Sequence, residues 1–173
     1  PMNHFRPHDI TKPFDLTRKF DLAQCLEVAE HIPSQYAKVL VESVVRHSDI
    51  VIFSAAQRGQ GGENHVNEQP IEFWRELFNQ HGYSAYDYIR PLLKDNPEVM
   101  PWYKYNTLIY ANERGKQRLS DKITSSALLE TEKAPPGGDL KWRLRRFLVG
   151  LLPKSAVDII AIANARRISN GLK

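Results

Sequence analysis

Glu27, Glu30 and His31 fall within five positions, in the stretch "CLEVAEHIP" at 25–33. Two carboxylates and an imidazole at that spacing can do three things. They can ligate a divalent cation, since carboxylate oxygen and imidazole nitrogen suit Mg²⁺, Mn²⁺ or Fe²⁺. His31 can act as a general base towards a hydroxyl, because imidazole is the side chain suited to proton exchange near neutral pH. Or Glu30 and His31 can cap and solvate the start of a following helix, where negative charge is favourable by about 0.3–1 kcal/mol.

A second polar cluster stands at "QRGQGGENHVNEQP" (57–70), which carries three glycines. Glycine permits positive φ and close approach of backbone to a ligand. Gln60, His65, Asn67 and Glu68 either line a substrate pocket or belong to a solvated loop. Polar loops of about 14 residues in compact domains tend to be functional, which favours the pocket.

The surrounding elements must position both clusters. "FDLAQCLE" (20–27) is a short apolar run between polar flanks and reads as a buried strand. In 34–47, Ala37, Leu40, Val41, Val44 and Val45 recur at helical spacing. They predict an amphipathic helix with Ser34 as its N-cap. "DIVIFSAA" (49–56) is a β-branched second strand. Residues 70–82 open with proline, close with glycine and place Ile71, Trp74, Leu77 and Phe78 on one helical face. Strands are further expected at 83–89 and 106–113. Phe73, Trp74 and Phe78 read as core. Trp102, Tyr103 and Tyr105 either stack on a planar substrate or pack over the sheet edge. This alternation predicts an α/β fold with a largely parallel sheet, whose ligands sit at the carboxyl ends of the strands. Both polar clusters follow strand ends.

Composition bounds the rest. Hydrophobic residues are 42% and charged residues 25% of 173, which fits one globular domain rather than a disordered chain. The net charge of +4 favours an anionic partner only weakly, and no specific nucleic-acid signal is seen. A single cysteine, Cys25, excludes an internal disulfide and points to a reducing, cytoplasmic setting. No apolar run reaches the ~18 residues of a membrane span, and the polar residues 1–9 do not read as a signal peptide.

Three blocks in order, "HDITKPFDLTRKFDLAQCLEVAEHIP", "IVIFSAAQRGQGGENHVNEQPIEFWRELFNQHGY" and "WYKYNTLIY", resemble the second half of a class I S-adenosylmethionine-dependent methyltransferase domain. The likeness is to the bacterial pattern FDL…EVAEH…FSAA…GQGG…HVNEQ…W…LF and covers about residues 8–113. It implies a Rossmann-like sheet of which the second half is present. The glycine-rich loop and the ribose-binding acid of the first half are not seen. They are expected from preceding residues or another chain, unless the protein is a natural truncation. The resemblance implies that Asp9 and Ile10 hold the cofactor's adenine, and that Leu26 and Glu27 lie beside its methionine end. The ExxEH spacing resembles that of small-RNA 2′-O-methyltransferases and ubiquinone-biosynthesis O-methyltransferases. That implies a cation site at Glu27, Glu30 and His31, completed by His65. The implied reaction is S-adenosylmethionine-dependent O- or N-methylation of a small molecule, sugar or glycoconjugate, with His31, Glu27 and His65 as catalytic groups and Mg²⁺ or Mn²⁺ as a further cofactor. The alternative is a catalytically inactive half-domain used for binding or assembly.

The chain therefore divides into a partial methyltransferase-type domain at 1–113, a linker at 114–138 around "APPGG", and a basic amphipathic helical tail at 139–173. In the tail, Lys141, Arg143, Arg145 and Arg146 interleave with Trp142, Phe147, Leu148, Leu151 and Leu152, and Arg166 and Arg167 close a second apolar helix. It reads as a hairpin (139–168) in peripheral contact with an anionic membrane, or as a helix pair docked on the domain or on a second copy. Because the 20–27 strand lacks a recognisable neighbour on one side, association is expected, either as a homo-oligomer or with a chain carrying the missing half.

Overall fold

The structure is a computed structural model that describes residues 5–171 and the side chains of residues 5–163. Four strands form one sheet: β1 (Ala23–Leu26), β2 (Ile50–Ser54), β3 (Ser84–Tyr86) and β4 (Leu108–Ala111), in the order β1-β2-β4-β3. β1 and β2 are parallel, with Cys25 opposite Phe53. β4 is antiparallel to both β2 and β3, so β3 runs the same way as β1 and β2. The sheet is thus mixed rather than parallel throughout. The chain leaves β3, forms α3 (Ile89–Leu93) and α4 (Pro101–Asn106), and re-enters as β4 from the sheet end it left. That end is the one where β1 and β2 terminate.

One face of the sheet is covered by α1 (Ala37–His47) and α2 (Ile71–Asn79). Leu40 and Val41 of α1 and Trp74 and Phe78 of α2 bury against Val51, Phe53, Leu108 and Tyr110. The Phe78 and Tyr110 rings stack at 3.9 Å between centroids. The other face carries Ile109 and Tyr86 under α3 and the short helices α5 (Glu113–Lys116) and α6 (Asp121–Thr124), through Ile89, Leu119 and Ile123. Strands buried on both faces explain the near-continuous apolar runs of β2 and β4. β1 lies at the sheet edge, no described residue pairs with its outer side, and the chain before it bridges from Phe20 to Ser48 on the β2 side.

Helix α1 begins at Ala37, later than the apolar spacing suggests, because Ser34–Tyr36 form a 3-10 turn. Ser34 makes no capping hydrogen bond, and the helix start has no side-chain cap.

The 128–135 segment is strapped to the body. Arg75 donates to the carbonyls of Leu128, Leu129 and Glu132, and Ala134 donates its N–H to Glu72. Arg90, ion-paired with Asp87 at 2.6 Å, donates to the Pro135 carbonyl. Beyond it stand α7 (Leu140–Gly150) and α8 (Lys154–Gly171). The Asp139 carboxylate caps α7 by accepting from the Trp142 N–H at 2.7 Å. Arg145 and Arg146 face the body and donate to the Gln60 and Arg58 carbonyls. Leu140, Leu144, Phe147, Leu148 and Leu151 face outward and are exposed. Arg166 and Arg167 fall outside the residues whose side chains are described. No helix among the described residues is long and apolar enough to cross a membrane.

Candidate functional site

β1 ends abruptly. Glu27 adopts φ +53, the left-handed region that non-glycine residues rarely occupy and that clusters at functional sites. Its N–H donates to the Ser54 carbonyl at 3.0 Å, tying the end of β1 to β2. The chain then turns into a short 3-10 segment, Ala29–His31. The 57–70 loop docks on that segment: the N–H groups of Val66 and Asn67 both donate to the Glu30 carbonyl, at 2.8 and 3.0 Å, and Asn67 Nδ2 reaches the Ala29 carbonyl. This docking carries His65 to Glu30.

Glu30, His31 and His65 converge, with one ligand-type atom from each lying within 4.8 Å of the others. The His31 and His65 rings meet edge to face at 5.0 Å. Glu30 is fully buried, and neither of its carboxylate oxygens has a hydrogen-bond partner. Burial, with the Glu27 charge nearby, pushes its carboxyl up to about 7, against the smaller lowering effects of the Glu30 and Ala56 backbone N–H groups and of His65. His65 Nε2 lies 4.0 Å from Glu30 Oε1, while His65 Nδ1 lies 2.9 Å from Glu68 Oε1.

Glu68 is itself held by the N–H groups of Gly59 and Gly61, at 2.9 and 2.7 Å. Burial would raise its carboxyl, but the His65 hydrogen bond and these two backbone donors hold it below the usual carboxylate range. Gly59 and Gly61 have φ of +76 and +69, which glycine supplies without strain. The loop glycines therefore bind a carboxylate of their own chain.

Glu27 stands in the same pocket wall but outside the three-residue group. Its oxygens accept from Gln60 Nε2 at 2.8 Å and from Asn106 Nδ2 at 3.2 Å. Asn106 also bonds Gln60 and Gln57, closing a network of amides around one carboxylate. A pocket lined by Glu27, Glu30, His31, His65, Gln60 and Trp102 opens here. Asn106 and Trp102 come from α4, and no local pattern in the sequence singles out Asn106.

The remaining expected site residues lie elsewhere. The Asp9 carboxylate accepts from the N–H and hydroxyl of Thr11 in a local turn, and Ile10 packs against the core. Leu26 is half-buried opposite Ser54. Asn67 is buried and serves the loop docking described above. Glu30 and His31 do not cap α1, since the turn before it and the helix start lack any side-chain cap.

The donor set fits a divalent cation. A buried carboxylate with no donor needs either a proton or a positive charge. A histidine whose Nδ1 is engaged by a carboxylate presents Nε2, the arrangement that orients metal-bound imidazoles. With both Glu27 oxygens engaged by amides, the set is one oxygen and two nitrogens. That suits Mn²⁺ or Fe²⁺ better than Mg²⁺, which prefers oxygen.

No known family profile matches the chain, and no curated protein matches it. Among solved structures, the chain is similar to the crystal structure of small RNA methyltransferase HEN1, at 23% identity and a TM-score of 0.44. The likeness covers 61% of this chain and 15% of that one.

Proposed function

We propose that this chain carries the acceptor side of an S-adenosylmethionine-dependent methyltransferase site that acts on a hydroxyl and uses a divalent cation. The observation that supports it most is the Glu30 carboxylate, fully buried and without a donor, gathered with His31 and His65 at the end of a sheet strand. The sequence pattern through "EVAEH" and "HVNEQ", which contains these same three residues, supports the same reading.

Glu30, His31 and His65 would hold the cation, whose chemistry is to lower the pKa of a bound hydroxyl and fix its direction. S-adenosylmethionine, when bound, supplies a sulfonium methyl for in-line displacement. The chain's own residues do the positioning. Glu68 fixes the His65 ring with its proton on Nδ1. Gln60 and Asn106 hold the Glu27 carboxylate at the pocket wall, where it accepts a hydrogen bond from an acceptor hydroxyl. Trp102 lines the same pocket. Rate enhancement then comes mainly from proximity and orientation.

Calorimetric titration of the chain with Mn²⁺ tests the cation, and methyl transfer in chelator tests its role. One Mn²⁺ per chain is expected, lost in Glu30→Gln and in His65→Ala. Unchanged turnover in excess chelator would remove the cation and leave His31, the exposed member of the group, as a general base.

A further inference from the structure

Next to the Glu30–His31–His65 pocket lies a larger cleft of about 610 Å³, between α4 and α7. The two adjoin, with Gln60, Gly61 and Trp102 in the walls of both. Its volume is within the range of small-molecule sites.

The walls have two chemical characters. Trp102, Tyr105 and Trp142 supply aromatic surface, with the Tyr105 and Trp142 centroids 5.7 Å apart. Lys104, Lys141 and Arg145 supply positive charge. The one carboxylate in the wall, Asp139, is engaged as the α7 cap. Arg145 is held over the Trp142 ring at 5.3 Å and by the Gln60 carbonyl at 2.8 Å. Cations and flat rings thus line the approach to a hydroxyl-directed pocket.

We propose that this cleft binds the acceptor and that the acceptor is an acidic saccharide, a sugar ring bearing a carboxylate or phosphate. A saccharide places a hydroxyl and an anion on opposite sides of one ring. The hydroxyl reaches the Glu30–His31–His65 group while the anion meets Lys104, Lys141 and Arg145. The apolar face of the ring lies on the aromatic side chains, and its anion makes charge-assisted hydrogen bonds to the cations. The assignment of the hydroxyl as the methylated group rests on the methyl-transfer reading. The binding itself does not.

The test is tryptophan fluorescence titration of the full chain in chelator, with no methyl donor. The probes are trigalacturonate and glucose 6-phosphate, against maltotriose and adenosine monophosphate. Either acidic saccharide should bind saturably, and the better of the two names the anion. Lys141→Glu, an exposed change, should weaken binding by about tenfold or more, the size of one charge-assisted hydrogen bond. Lys104→Met should weaken it in the same direction. Maltotriose binding as tightly as trigalacturonate, or indifference to both lysine variants, would overturn the proposal. Adenosine monophosphate binding better than either acidic saccharide would overturn the saccharide assignment. Because binding is read with neither cation nor donor present, an acidic saccharide that binds saturably but is not methylated once S-adenosylmethionine and Mn²⁺ are supplied would sink the proposed reaction and leave the cleft assignment standing. Methyl transfer to a neutral acceptor, unaffected by Lys141→Glu, would do the reverse.

Discussion

His65 Nδ1 lies 2.9 Å from Glu68 Oε1, and that pairing decides what the other ring nitrogen can do. Glu68 is held as a carboxylate by the Gly59 and Gly61 N–H groups, so it accepts and the proton sits on Nδ1. Nε2 is left facing the Glu30 side. Glu68→Ala should therefore weaken Mn²⁺ binding by about 10–100-fold, the usual cost of losing a residue that orients a ligand. Calorimetry reads this directly. Unchanged affinity would show that His65 needs no partner.

Glu30→Gln should move stability and binding in opposite directions. At pH 8 the metal-free chain buries an ionised carboxylate with no well-formed hydrogen bond, and the neutral amide removes that burden. Unfolding in urea should show a gain of about 0.5–2 kcal/mol, as for other functional groups whose removal relieves strain. Mn²⁺ binding should vanish. Loss of stability in the metal-free state would mean that Glu30 is a structural residue.

Gly59→Ala should detach α7 from the loop. A Cβ at Gly59 would overlap the Arg146 carbonyl oxygen, and φ +76 is strained for alanine. A cost of about 1–3 kcal/mol is expected. Hydrogen exchange should locate it in 140–150 and at the Gly59 and Gly61 amides that hold Glu68.

The outward face of α7 should bind anionic membranes. Leu144, Phe147, Leu148 and Leu151 are exposed together, with Lys141 and Arg143 beside them. Apolar area flanked by cations fits an anionic lipid surface. Sedimentation with phosphatidylserine vesicles should capture the chain, and Phe147→Glu with Leu151→Glu should release it. Equal capture by neutral vesicles would remove the electrostatic part, and no capture would remove the membrane.

Acid should act through Asp49. Asn112 Nδ2 donates to its carboxylate at 2.8 Å, and Lys19 stands 3.6 Å away. These hold its carboxyl below the usual value of 3.8, the Asn112 hydrogen bond most of all. Below that value the unfolded chain takes up the proton more readily than the folded one. The contribution is complete above about pH 4 and lost as pH falls through the lower folded value. Asp49→Asn should flatten the stability profile in that window. An unchanged profile would assign acid sensitivity to other carboxylates.

The amphipathic helices were legible because burial imposes a period on sequence. Leu40 and Val41 in α1, and Trp74 and Phe78 in α2, face the sheet as their spacing predicts. Glu30, His31 and His65 were legible as residue types at strand ends, where open α/β sheets hold their ligands. Helix starts were less so: Ser34 resembles a cap, yet a 3-10 turn carries the chain three residues further.

Three things were decided only by the fold. The antiparallel entry of β4 brings Asn106, 79 residues from Glu27 along the chain, to the end of β1. Strand direction depends on pairing across the sheet, which leaves no local periodicity. The division of labour between Glu27 and Glu30 was hidden too, since both are glutamates in one short motif. Positive φ at Glu27 turns its side chain to Gln60 and Asn106 and leaves Glu30 without a donor. Finally, the α7 pattern shows an apolar and a basic face but not which one packs. The carbonyls of Arg58 and Gln60 take the arginines inward and leave the leucines outside. Sequence sets the chemical character of a surface, whereas the partner that surface meets is set by distant residues in three dimensions.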